Sequence, residues 1–248
     1  MDQFFATTQV ISKMITFKQF KKLIENYTEQ PYTQYGSNKG GIHVHEPTGQ
    51  KFYVKFPKSN EQAKVEAATA DIYNALGIRT LNPHTEDINN RTAVVTPWQD
   101  NLKSFESARE YHSAIKDPAR EHELALMHHA AIMTGNRDVI GMDYTNVMQD
   151  KDTGQLVSAD QGGSMHYRAQ GAPKEFAADI SDVRSFQNPM YQSGEVFSKV
   201  NPDVLKASAQ KLKSLDDTTI DSIMDKHGLS QHAPVIKARR DMLIRHYS

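Results

Sequence analysis

The stretch Gly135–Gly163, GNRDVIGMDYTNVMQDKDTGQLVSADQGG, decides how the chain is read. Asp138 is followed eight residues later by Asn146, and fourteen residues beyond that comes Asp160, in SADQGG. The runs VMQ and LVSAD flank the polar turn DKDTG, which predicts a hairpin. Such a hairpin returns Asp160 to the side of Asn146. An amide oxygen and a carboxylate brought together suit a hard cation such as Mg2+ or Mn2+. Each residue also has a local reading. Asp138 can be a loop carboxylate bonding nearby backbone after a helix end, and Asp160 a turn carboxylate before Gly162-Gly163.

Upstream, EHELALMHHAAIMTG predicts a helix with Leu124, Met127, His128, Ala131 and Ile132 near one face. It would be a buried helix that delivers Asp138 to its loop. Further back, Gly41–His45 and Lys51–Phe56 alternate around EPTGQ and predict another hairpin. Gly36, Ser37, Gly40 and Gly41 stand at its start, where small residues let backbone N–H groups approach a phosphate. An ordinary flexible turn reads the same way. Lys55, in FYVKF, is either a phosphate-facing lysine or one that snorkels from an edge strand. The helix predicted over EQAKVEAATADIYNALGI ends at Gly77. It would carry Glu66 back against Lys55 as an ion pair. Glu61, at the start of the same helix, reads as a surface charge facing the helix dipole.

Composition narrows the classes. The 248 residues suffice for one two-lobed domain or two small ones, and the formal net charge is −1. That balance, with no interleaved aromatic and basic array, speaks against nucleic-acid binding. There are no cysteines, which removes disulfides, thiolate metal sites and cysteine nucleophiles. No apolar run reaches transmembrane length, and the N-terminus lacks a Sec-type signal.

The remaining segments fill out the frame. Residues 1–30 are expected as a helical extension, with Phe17, Phe20, Leu23 and Ile24 at helical spacing and Thr16 as N-cap. Residues 84–99 predict a hairpin ending at Pro97-Trp98, and residues 100–120 a polar linker with a short helix. The chain after residue 200 reads as helices carrying Lys206, Lys211, Lys213, Lys237, Arg239, Arg240 and Arg245, mostly on solvated faces. His128-His129 are adjacent and point apart on a helix. His43 and His45 share a strand face with no further ligand motif nearby, so zinc is the weaker reading of both pairs.

Taken together, GGIHVHEPTGQKFYVKF, the Glu66 helix ending in ALGI, NRDVIGMDYTNV and SADQGGSMHYRAQGAPK resemble bacterial atypical kinase-like domains. These lie near the HipA-like and phosphatidylinositol-kinase-like branch of the kinase fold and occur in secreted effectors and toxin-associated proteins. The resemblance covers roughly residues 35–245. It implies an α+β, two-lobed atypical protein-kinase-like fold. Residues 31–99 would be a small β-rich N-lobe, and residues 100–248 a mainly helical C-lobe. It further implies that Lys55 binds ATP phosphates, Glu66 orients it, Asp138 is the catalytic carboxylate, and Asn146 and Asp160 hold Mg2+ or Mn2+. Backbone from Val95 through Trp98 to Gln99 would hold adenine at the hinge between lobes. Arg168 and Lys174, in the loop after Asp160, would meet an acceptor or activator; for Arg168 a loop-ordering salt bridge is the equal alternative.

The acceptor expected is a protein, with a lipid or small molecule as the other choices. An inositol phosphate could serve as activator, and the setting would be the bacterial cytoplasm or a host cell that receives the protein as an effector. The chain departs from ordinary protein kinases in NRD for HRD, in DQG for DFG, in a longer Asp-to-Asn spacing and in lacking an APE-like segment. Two alternatives stay open: AMP transfer on the same fold, and a nucleotide-binding pseudokinase that engages a partner without turnover.

Overall fold

The computed structural model describes residues 27–30, 38–88 and 90–248. The expected helix around Phe17–Ile24, and Gly36 and Ser37, lie outside the described residues. The end of the expected helical extension is instead a strand, β1 (Tyr27–Glu29), which pairs with the next.

Two hairpins and one helix form the N-terminal region. Strands β2 (Lys39–His45) and β3 (Gln50–Phe56) are joined by the EPTG turn, and β4 (His84–Ile88) and β5 (Arg91–Pro97) form the second hairpin. With β1 they make an antiparallel sheet of order β1-β2-β3-β5-β4. Helix α1 (Asn60–Ala75) crosses between the hairpins. It starts where the Ser59 side chain accepts the Gln62 N–H, and stops where Gly77 takes a positive φ of 83°. Ala63, Ala67, Ala70 and Ile72 are fully buried, which lets the helix sit close to the sheet.

The C-terminal region is mostly helical. Residues 100–120 hold more order than a polar linker. The three-residue strand β6 (Leu102–Ser104) pairs with β7 (Val147–Asp150), and β7 with β8 (Leu156–Ser158), before α2 (Ala108–Ala114) begins. Helix α3 (Pro118–Thr134) is the core element, buried from Leu124 to its end. Helices α4 (Asp182–Gln187), α5 (Gln192–Phe197), α6 (Pro202–Ala209), α7 (Asp217–Lys226) and α8 (Ala233–His246) close around it. Three residues of the basic end are in ion pairs. Lys237 and Arg240 pair with acidic neighbours on α7 and α8. Arg239, read from sequence as a solvated charge, is 3% exposed and pairs with Asp182.

His128 and His129 are core residues of α3. Both are fully buried, and His128 packs edge-on to Phe186 and Phe197. The hydrogen-bond network assigns their tautomers. His129 Nε2–H donates to the Leu205 carbonyl at 2.8 Å, so its Nδ1 can accept from His128, which leaves His128 Nε2 unpartnered. Burial pushes both pKa values down, that of His129 to about 4. The unfolded chain therefore binds more protons than the native one below about pH 6.5, and stability falls as pH drops through that value. For His129 alone the loss by pH 4.5 is expected to be about 2 kcal/mol. Urea titrations from pH 7 to 4.5 should show it. His129→Gln, which keeps a donor for Leu205, should flatten the profile; an unchanged slope would assign the acid sensitivity to other groups.

Candidate active site

Three side chains from three elements meet between the sheet and the helical region. Lys55 comes from β3, Glu66 from the second turn of α1, and Asp160 from the loop after β8. Lys55 Nζ lies 2.6 Å from Glu66 Oε1 and 3.2 Å from Asp160 Oδ1. Lys55 and Glu66 are nearly excluded from water, whereas the Asp160 side chain is 42% exposed and opens the group to the cleft. Burial works to lower the Lys55 pKa, but the Asp160 and Glu66 carboxylates outweigh it and hold the amine above its ordinary range. Burial pushes Glu66 upward; at 2.6 Å from an ammonium it is nonetheless the ionised partner of a charge-assisted pair. Glu61 stands apart from this group, beside Tyr167.

Asp138 and Asn146 belong to the same cleft through backbone geometry. Helix α3 ends at Gly135 in the left-handed region, and the chain turns directly into Asn136-Arg137-Asp138. Asn146 Nδ2 donates to the Asp138 carbonyl at 2.7 Å and to its carboxylate at 3.2 Å. The amide nitrogen is thus committed, and Oδ1 is the end left to bind a cation. The Ala159 N–H donates to the Asn146 carbonyl at 2.8 Å, so the β7–β8 hairpin sets Asp160 beside Asn146. Burial and the Asp160 charge push the Asp138 carboxyl up to about 6. For Asp160, burial is outweighed by Lys55 and by the Gly162 N–H, which donates to Oδ1 at 2.8 Å, and its pKa falls. Neighbouring carboxylates are pushed apart in this way, one toward a proton acceptor near neutrality and one toward a permanent anion.

Several residues sit where sequence reasoning did not put them. Val95 is fully buried, and its strand β5 is flanked on both sides by β3 and β4. The chain leaves the sheet only at Trp98, whose N–H donates to the Lys51 carbonyl and whose indole N–H donates to Asp100. Gly40 stands opposite Lys55 in the register, and a Cβ there would lie 2.5 Å from the Val54 carbonyl oxygen. Close strand approach accounts for that glycine without a phosphate; Gly41 pairs with Val54. Lys174 turns inward and donates to the Gly135 and Gly163 carbonyls at 2.5 and 2.6 Å. Burial and the nearby Arg137 push its pKa down to about 7. Arg168 is exposed.

Two positioning residues escaped the sequence. Asn136 is fully buried; its Oδ1 accepts the Asp138 N–H at 3.1 Å and its Nδ2 reaches the Asp160 carbonyl at 3.4 Å, so one amide links both loops. Its place in NRD was the one available signal. Arg239 donates to the Ile132 carbonyl through Nε and Nη2, at 2.9 and 2.7 Å, and so caps the helix that presents Asp138. Only tertiary structure reveals that acceptor.

A small antiparallel sheet with one crossing helix, a helical second region and the Lys55, Glu66, Asp138, Asn146 and Asp160 side chains gathered between them define a kinase-like fold. The chain is similar in fold to the crystal structure of a Helicobacter pylori proinflammatory kinase, CtkA, with a TM-score of 0.56 and 13% sequence identity over 88% of this chain and 91% of that one. No protein-family model and no curated protein matches the sequence.

Gly162 gives a direct check of the site geometry. A Cβ there would lie 2.9 Å from Glu66 Oε2 and 3.1 Å from Asp160 Oδ1. Gly162→Ala is expected to lose about 1–3 kcal/mol of stability by overpacking, measured by urea denaturation. Wild-type stability in the variant would mean that α1 and the Asp160 loop are less closely packed than described.

Proposed function

We propose that the chain is an ATP- and Mg2+-dependent phosphotransferase of atypical kinase type that moves the γ-phosphate to a hydroxyl group of a protein. The observation that carries this reading is the Lys55 ammonium held between Glu66 and Asp160, on the cleft that also presents Asp138 and Asn146. Phosphoryl transfer asks for in-line positioning and neutralised charge more than for covalent help. Lys55 supplies a point charge for the phosphates, and Glu66 keeps it in place. The Asp160 carboxylate and Asn146 Oδ1 are oxygen donors that fit Mg2+. Bound there, the cation would neutralise phosphate charge. Asp138 would orient the acceptor hydroxyl and take its proton as oxygen attacks phosphorus and the bond from the γ-phosphorus to the bridging oxygen breaks, releasing ADP.

The acceptor side supports a protein substrate. Asp138 lines a cavity of about 230 Å3 together with Arg137, Gly141, Ser185, Tyr191 and Ser193. Met142 and Met190, each next in sequence to a lining residue, are 73% and 86% exposed, and Tyr191 is 55% exposed. Exposed methionines and a tyrosine suit an adaptable contact with a polypeptide. Among the described residues no helix is long and apolar enough to cross a membrane. The likeness in fold to a bacterial proinflammatory kinase favours an effector role.

The test is incubation with Mg2+ and ATP labelled separately at the γ and α phosphates, with protein and lipid extracts as acceptors. Transfer of γ label is expected, lost in Asp160→Ala. Asp138→Asn should lower kcat by about 10^2–10^4-fold while nucleotide affinity is kept. Transfer of α label would replace the proposal with AMP transfer. Nucleotide-dependent stabilisation with no transfer, inositol phosphates included, would replace it with a pseudokinase.

A further inference from the structure

A second cluster of ligating side chains lies outside the cleft. Glu61 is in the first turn of α1, His166 follows the DQGG loop, and His232 ends the short 3-10 turn before α8. One ligand atom from each lies within 4.8 Å of the other two. His166 Nε2 is 3.6 Å from Glu61 Oε1, too far for a good hydrogen bond. Two ligands held about 2.0–2.1 Å from a tetrahedral zinc are themselves roughly 3.3–3.4 Å apart, so this spacing is close to that of two groups sharing a cation.

Three further observations point the same way. The His166 and His232 rings are tilted by 31° with centroids 4.7 Å apart, so the two imidazoles are presented together. On the His232 ring, Nε2 is shielded from water and without a hydrogen-bond partner. Buried polar atoms of that kind are uncommon and call for an explanation. The second Glu61 oxygen accepts from the Tyr167 hydroxyl at 3.2 Å, and that hydroxyl lies 3.1 Å from Ser59 Oγ. A ligating carboxylate is commonly oriented by such a neighbour. Glu61 is exposed, which gives a cation a way in.

We propose that Glu61, His166 and His232 form a binding site for a transition-metal cation of the Zn2+ type, which staples the start of α1 to the loop after Asp160 and to the C-terminal helices. Two imidazoles and one carboxylate suit a borderline cation and select against Mg2+, which prefers oxygen. Three protein ligands leave a position for water. Metal binding stands on these residues alone. Its consequence, a steadier Lys55–Glu66 pair, rests on the phosphotransferase reading, because Glu61 and Glu66 share one helix.

The experiment uses full-length protein stripped with a chelator, without nucleotide, titrated with Zn2+ by calorimetry and thermal unfolding. One equivalent should bind, and Tm should rise by roughly 5–10 °C when free Zn2+ exceeds Kd about 100-fold. Glu61→Gln and His232→Gln should each abolish the rise. His84→Gln and Asp160→Asn, at an exposed histidine and in the cleft, should leave it intact. Co2+ substitution should give a visible tetrahedral spectrum that Glu61→Gln loses. Absence of any rise in the wild type, retention of the full rise in Glu61→Gln, or its loss in His84→Gln would overturn the site. Because nucleotide is absent throughout, a failed labelling assay leaves this result untouched.

Discussion

Everything in the cleft depends on an ammonium and a carboxylate, Lys55 and Glu66, held together almost out of water. Removing two charges from solvent is costly, and their attraction offsets that cost only when the geometry is good and other groups help. Here Asp160 helps from the opposite region of the chain. Leaving one member of such a pair alone costs about 3–5 kcal/mol, so the sheet, helix α1 and the Asp160 loop constrain one another through this contact. The fold around it is arranged to make the contact unavoidable. Ser59 fixes where α1 begins, the alanine face lets the helix lie against the sheet, and Gly162 leaves room for Glu66 Oε2.

The second constraint is hydrogen bonding at the loop that carries Asp138. A helix end leaves carbonyls without partners, and α3 ends deep in the protein. Arg239 takes the Ile132 carbonyl, Lys174 takes that of Gly135, and the Asn136 N–H donates to the Ala131 carbonyl. Arg239, which reads as a solvated charge in the sequence, and Lys174, which reads as an acceptor or activator contact, thus bond backbone oxygens. The loop gains rigidity, and Asp138 gains a surrounding from which water is partly excluded.

Much of this was legible beforehand, for physical reasons. The β7–β8 hairpin announced itself by a Gly-containing turn between apolar runs, and α1 by its alanine-rich periodicity with Gly77 at the end. The spacing from Lys55 to Glu66 admits few routes other than a strand, a short loop and a helix. Other features left no local mark. Strand β6 is three residues in a polar run and exists because β7 offers it a partner. Val95 lies inside β5; a strand's apolar end and the start of a hinge look alike in sequence. Glu61, His166 and His232 are distant in the chain, and only the packing of α1 against the C-terminal helices unites them.

The exit of α1 is tied more firmly than a connecting segment needs to be. The Arg79 guanidinium donates to Asp150 at 2.6 Å and to Gln99 at 2.9 Å, and the Arg79 carbonyl accepts the Ser158 N–H. Asp71, near the same end, holds Lys226 and His227. Were helix α1 to pivot, the tied C-terminal end would be its fulcrum. At 1.5 Å per residue it is roughly 24 Å long, and Glu66 stands about 14 Å from the fulcrum. A tilt of about 10° would carry Glu66 roughly 2 Å, most of the length of its bond to Lys55, while the distal tip travels about 4 Å. A displacement near Glu61 would thereby be passed, reduced by about half, to the Lys55–Glu66 contact.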